Sequence, residues 1–114
     1  MFKYNEKRKK YYAELDGIKF CCKELKAHYE RYAFELATQY EVKLPEIVAF
    51  MLEDVSAIYG DLDIEQLTHS LGSPLIDLDR EMICYLEHSL DNCHIIEVEF
   101  GGLFEHFYEV VIDG

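Results

Sequence analysis

Cys84, His88, Cys93, His94 and His106 gather in the last part of the chain. These are the side chains that zinc favours, and zinc takes four of them in a tetrahedron built from closely spaced pairs. The spacing here offers no such pair, since there is neither a CxxC nor an HExxH. Cys84 and His88 have the same strand parity, but four extended residues set them roughly 13 Å apart. That distance is too long for one ion. No metal and no cofactor is expected, and the five side chains read as core and edge positions.

A cysteine nucleophile needs a lowered thiol pKa, a base within hydrogen-bond reach and an electropositive setting. The second half of the chain is dense in carboxylates, which act the other way. Cys21 and Cys22 have no acid–base partner beside them in sequence. All four thiols are expected to be reduced, and no residue is assigned a catalytic role. Paired carboxylates are plentiful: Glu53-Asp54, Asp61 and Asp63, Asp77 and Asp79, Glu97 and Glu99. On a strand, residues two apart share a face, so the last two pairs read as same-face pairs. Glycoside hydrolysis needs such a pair in a cleft with one pKa raised. A solvated sheet face gives the same pattern without chemistry, and that is the expectation. Asp61 to Glu65 lacks the central glycine and spaced ligands of a calcium loop. No glycine-rich phosphate loop occurs; Gly101-Gly102 reads as a turn.

The elements that carry these residues follow from periodicity. Residues 1–10 are polar and basic and are expected to be a flexible terminus. Asp16-Gly17 is a turn dipeptide, after which Ile18, Phe20 and Cys22 alternate with Lys19 and Cys21. Residues 11–22 therefore suit a short strand or hairpin. Leu25, Tyr29, Tyr32, Leu36 and Tyr40 recur at helical spacing and predict a helix over 23–40. Pro45 fits the first turn of a second helix, with Ile47, Val48, Met51, Leu52, Val55, Ile58 and Tyr59 apolar and Gly60 as its stop. Asp63 and Gln66 have capping-box spacing for a short third helix ending at Gly72.

Beyond Pro74 the period becomes two. Met82 to Glu87, His94 to Phe100 and residues 103–112 read as a three-stranded antiparallel meander. The expected class is α+β in a single domain, 1–114. Two long helices and one short helix pack on one face of the C-terminal meander. A three-residue turn at Gly101-Gly102-Leu103 would pair Phe100 with Phe104, Val98 with His106 and Ile96 with Tyr108. It would also set Glu99 opposite Glu105, a tolerable cost on a wet face. The core is expected to hold Leu25, Tyr29, Tyr32, Leu36, Val48, Met51, Leu52, Val55, Leu67, Ile96, Val98, Phe100, Tyr108 and Val110.

Charge bears most directly on function. The chain has a formal net charge of −12. Residues 1–43 carry net +3, whereas residues 44–114 carry net −15 with Arg80 as their one basic side chain. Such a surface repels phosphate backbones and anionic lipid, so neither nucleic acid nor membrane is an expected partner. No apolar stretch approaches the roughly 20 residues of a membrane span. Nothing at the start resembles a secretory signal, and a cytoplasmic location is expected.

The expected function is an acidic protein-binding module that docks on a basic partner. Inhibitors of the immunity type that neutralise toxins have this physical character, an analogy of kind without a motif match. The expected binding face is the wet side of the sheet: Glu97, Glu99, Glu105 and Glu109 with Tyr85, Ile95 and Phe107, and Asp77 and Asp79 if the segment after Pro74 joins the sheet. The alternatives are a small enzyme with a site centred on His106 and a carboxylate, and a structural or adaptor protein that dimerises through its sheet.

Overall fold

The computed structural model describes residues 1–114. Its first three strands are β1 (Lys3–Asn5), β2 (Lys10–Leu15) and β3 (Ile18–Cys22), each antiparallel to the next. Asp16 and Gly17 join β2 to β3 with φ of 51° and 80°. Two successive positive-φ residues make the turn whose twist suits a tight hairpin. The hairpin expected over residues 11–22 is thus present. Residues 3–5, expected within a flexible terminus, instead form an edge strand, with the Tyr4 and Tyr11 rings edge-to-face at 5.0 Å.

Two helices follow, α1 (Tyr29–Tyr59, 31 residues) and α2 (Ile64–Leu71, 8 residues). The two long helices expected from Pro45 are one continuous helix. The apolar stripe explains it: Leu36, Tyr40, Leu44, Ile47, Met51 and Val55 stay in helical phase across the proline. Burying that stripe on one sheet rewards an unbroken axis. Pro45 and Glu41 are both exposed, so the Glu41 carbonyl that proline leaves without its N–H partner can be hydrated. The helix also starts at Tyr29 and not near 23, and Leu25 is exposed. At α2 the capping box is complete: Gln66 N–H donates to Asp63 Oδ1 at 2.7 Å and Asp63 N–H to Gln66 Oε1 at 2.9 Å. Gly72 follows with φ +71°, and a Cβ there would meet the Glu87 carbonyl oxygen at 2.8 Å.

The chain then runs through β4 (Leu75–Asp77), β5 (Met82–Tyr85), β6 (Ile95–Gly101) and β7 (His106–Asp113). The sheet has seven strands in sequential order, antiparallel except where β4 lies parallel to β3. A parallel neighbour needs a crossover, and α1 and α2 supply it. The fold is therefore α+β, with two helices instead of three and a sheet wider than the expected meander.

One sheet face meets the helices. Phe20, Ile76, Ile83, Tyr85, Ile96, Val98 and Phe100 share a cluster with Tyr29, Leu36, Ile47, Met51 and Val55 of α1 and Leu67 and Leu71 of α2. Nine of the fourteen expected core residues are buried; Tyr32, Leu52 and Val110 are partly buried against them. Leu25 and Tyr108 are open to water at 40% and 62%.

The β6–β7 register differs from expectation. Gly101 pairs with His106, Phe100 with Phe107, Val98 with Val110 and Ile96 with Ile112, and a bulge falls between Glu99 and Phe100. The turn is thus longer than three residues. Phe104 adopts φ +61° and is 1% exposed, its ring 4.9 Å from Phe100 and 5.9 Å from Tyr40. Burial of a whole phenyl ring outweighs the cost of a left-handed backbone at that residue. The bulge takes up the extra residue and turns Tyr108 outward.

Candidate functional site: the open sheet face and the Asp91–His94 loop

The register fixes which side chains point away from the helices. Met82 pairs with Glu99, Cys84 with Glu97, Glu97 with Val111, Glu99 with Glu109 and Ile95 with Asp113. Both helices pack on the opposite side, so these residues form the face no helix covers, on which Met82 and Cys84 are nonetheless buried. Of the seven expected binding residues, Glu97, Glu99, Glu109 and Ile95 lie there. Glu105 does not; it sits in the β6–β7 turn, where its carboxylate accepts from Leu103 N–H at 3.4 Å. Tyr85 is a correction: it pairs with Ile96, is fully buried on the helix side, and shares a 2.6 Å hydroxyl–hydroxyl hydrogen bond with Tyr40. Phe107 is another: it pairs with Phe100, and its ring lies 5.5 Å from Phe50 of α1. Strand parity does not carry over to β5, whose facing is set by its pairing with β6, or to Phe107, which lies beyond the bulge.

Asp77 and Asp79 also part company. Asp77 lies on the open face, and its Oδ1 accepts from the N–H groups of Asp79 and Arg80 at 3.1 and 3.2 Å. β4 ends there, and Asp79 turns toward the helices to accept from Lys23 N–H at 2.6 Å and Tyr29 hydroxyl at 2.8 Å. At the centre of the open face the Arg80 guanidinium bridges Glu97 and Asp77. The Cys84 thiol donates to Glu97 Oε2 at 3.1 Å. Burial first, then the Glu97 carboxylate, push this thiol far above the ordinary range. Cys21 and Cys22 are pushed up to about 11, again chiefly by burial, with Asp77 and Asp79 respectively adding to it. None of the three is a nucleophile in waiting.

Glu99 and Glu109 have no cationic partner. The one basic side chain of the second half is engaged by Glu97 and Asp77. At the other end of the same face Lys3, Arg8 and Lys19 line a groove of about 670 Å³ together with Tyr12, Glu14, Leu75 and Glu87, the last paired with Lys19 at 3.9 Å. The face therefore carries mixed charge with one cation in excess at its β1–β3 end and is acidic at its β6–β7 end.

A second cluster lies on the β5–β6 connection. Asp91 Oδ1 accepts from the N–H groups of Cys93 and His94 at 3.2 and 3.0 Å. Its Oδ2 accepts from His94 Nδ1 at 2.6 Å and from the Tyr59 hydroxyl of α1 at 2.7 Å. Cys93 Sγ lies 3.4 Å from the same His94 Nδ1. Earlier in the same connection, buried His88 accepts Leu90 N–H on Nδ1 at 3.2 Å. Its proton is therefore on Nε2, which donates to the His94 carbonyl at 2.7 Å. Burial works against the charge on Asp91, yet the bonds from Tyr59 and His94 hold its carboxyl well below the usual range. Sequence alone points to Cys93 and His94 and not to Asp91, for which an Asp followed within three residues by Cys-His is the available signal. His106, the centre of the expected enzyme alternative, is exposed and stacks on Tyr108 at 6.3 Å.

Comparison with protein-family models, with curated proteins and with solved structures finds no match to this chain. No helix is long and apolar enough to cross a membrane.

Proposed function

We propose that this chain is an acidic protein-binding module that docks on a basic partner through the β6–β7 end of its open sheet face. One observation carries the reading. Glu99 and Glu109 are directly paired across strands on the face no helix covers, and neither has a counter-ion within the molecule. Like charges directly opposite oppose folding, and a cationic partner would relieve that repulsion. Glu97, Asp113, Val111 and Ile95 extend the patch, mixing charge with apolar surface as interfaces do. The excess of acid would also speed encounter with such a partner.

An oligolysine peptide is a suitable first probe, titrated over a range of salt. Wild type binds, and affinity falls as salt rises. Glu99→Lys with Glu109→Lys removes most of this binding. Reversal of Glu53 and Asp54, exposed on α1, changes net charge equally and leaves most of it. Equal loss in both double variants would assign the effect to net charge and sink the face.

A homodimer through the open face is the second reading, favoured by the opposite charges at its two ends. Two-fold stacking would set the Lys3, Arg8 and Lys19 end of one copy on the acidic end of the other. Sedimentation at low and high salt separates the readings: a salt-sensitive dimer supports this one, and a monomer at all salt concentrations excludes it.

A further inference from the structure

The Asp91, Cys93 and His94 side chains resemble a thiol–imidazole–carboxylate relay in composition, but not in geometry. A relay places the nucleophile and the orienting carboxylate on opposite ring nitrogens. Here Cys93 Sγ and Asp91 Oδ2 both meet Nδ1 of His94, at 3.4 and 2.6 Å. Three potential ligand atoms, one S, one N and one O, lie within 4.8 Å of one another. Atoms that converge on one point form a chelate, not a proton wire.

We propose that Asp91, Cys93 and His94 form a mononuclear zinc site with its fourth position open to solvent. Tetrahedral zinc, with bonds of roughly 2.0–2.3 Å, sets its ligand atoms roughly 3.3–3.7 Å apart. The Cys93–His94 separation already falls there. The Asp91–His94 separation must open by about 0.7 Å, which rotation of the carboxylate supplies. Binding releases the Cys93 thiol proton, and the neutral His94 ring changes tautomer, its proton moving from Nδ1 to Nε2 through solvent so that Nδ1 is free to ligate. Cys93 is exposed and Asp91 and His94 are half-buried, so an ion can enter. The loop is held at two points: Tyr59 of α1 orients the carboxylate, and buried His88, earlier in the same connection, holds the His94 carbonyl. Such outer contacts are what fix first ligands in metal sites. Three protein ligands with an open position is the arrangement of reactive zinc, whereas closed structural sites use four. This inference does not rest on the acidic docking face.

Cobalt(II) added alone to the metal-free chain is the test, because a cobalt–thiolate bond gives near-ultraviolet charge-transfer absorption. One cobalt per chain is expected, with that absorption present in wild type and Cys84→Ser and lost in Cys93→Ser. Zinc should displace cobalt and slow the reaction of Cys93 with a thiol reagent about tenfold or more. His94→Ala and Asp91→Asn should each weaken binding about tenfold or more, and Tyr59→Phe about tenfold through its contact to Asp91. Thermal melting of each variant in the absence of metal verifies that it is folded. No charge-transfer band at saturating cobalt, unchanged affinity in folded Cys93→Ser, or one ion shared by two chains would overturn the proposal.

Discussion

Glu99 on β6 and Glu109 on β7 stand directly opposite each other on the open face, with no counter-ion from the chain itself. Their repulsion costs about 0.2–1 kcal/mol. Glu109→Gln should therefore raise stability by that amount in chemical denaturation, while weakening binding to a polycation. A gain in stability paired with a loss of binding is the pattern of a surface kept for recognition. A loss of stability would mean that the two acids support the hairpin.

Tyr40 and Tyr85 share a hydroxyl–hydroxyl hydrogen bond at 2.6 Å inside the core. Burial pushes the Tyr40 phenol up to about 12 and the Tyr85 phenol well above its ordinary value, so both stay protonated. Removing one hydroxyl strands the other. Tyr85→Phe and Tyr40→Phe should each cost about 1–3 kcal/mol. The double variant should cost less than the two singles added together, which a double-mutant cycle from urea unfolding measures.

Pro45 sits in the middle of α1 on its exposed side. Pro45→Ala restores an N–H for the Glu41 carbonyl and relieves the ring's clash with it. Stability should rise, by up to about 3 kcal/mol. Unchanged far-ultraviolet circular dichroism at low temperature, with a higher melting temperature, is the expected result.

Asp79 ties the chain ahead of α1 to the end of β4. Burial opposes its charge, but the Lys23 N–H and Tyr29 hydroxyl bonds win and hold its carboxyl below the usual range. A depressed folded pKa contributes stability that is fully present above the unfolded value, about 3.9, and is lost as pH falls through the folded one. Asp79→Asn should therefore be less stable than wild type at neutral pH, and the difference should shrink on acidification below about pH 4. A difference that stays constant with pH would show that the carboxylate charge is not what holds this join.

Only Cys93 of the four free thiols is exposed. Under native, metal-free conditions a thiol reagent should modify Cys93 rapidly and Cys21, Cys22 and Cys84 only on unfolding. Their raised pKa values and their burial act in the same direction. Mass spectrometry of a timed reaction separates the fast site from the slow ones.

Features that depend only on neighbours in the chain were legible in the sequence. The helical phase from Leu36 to Val55, the Asp63–Gln66 capping box, the Asp16-Gly17 turn and the alternation through Ile95–Gly101 are local, and each appears in the fold. Glu97 and Glu99 share a face for the same reason, the two-residue period of a strand. The remaining features turn on competition between distant groups, which folding resolves. Pro45 ends a helix by local rules, but one sheet burying the stripe on both sides of it keeps α1 whole. The parallel pairing of Phe20 with Ile76 joins residues with both helices between them in sequence. The β6–β7 register was settled by Phe104, whose place beside Tyr40 and Phe100 outweighed a shorter turn and displaced Tyr108 to the surface. The Asp91–His94 cluster divides the same way. Its residues, His88 included, lie in one short connection, but Tyr59 comes from α1 to hold the Asp91 carboxylate, and no spacing rule encodes a contact between elements that only packing brings together.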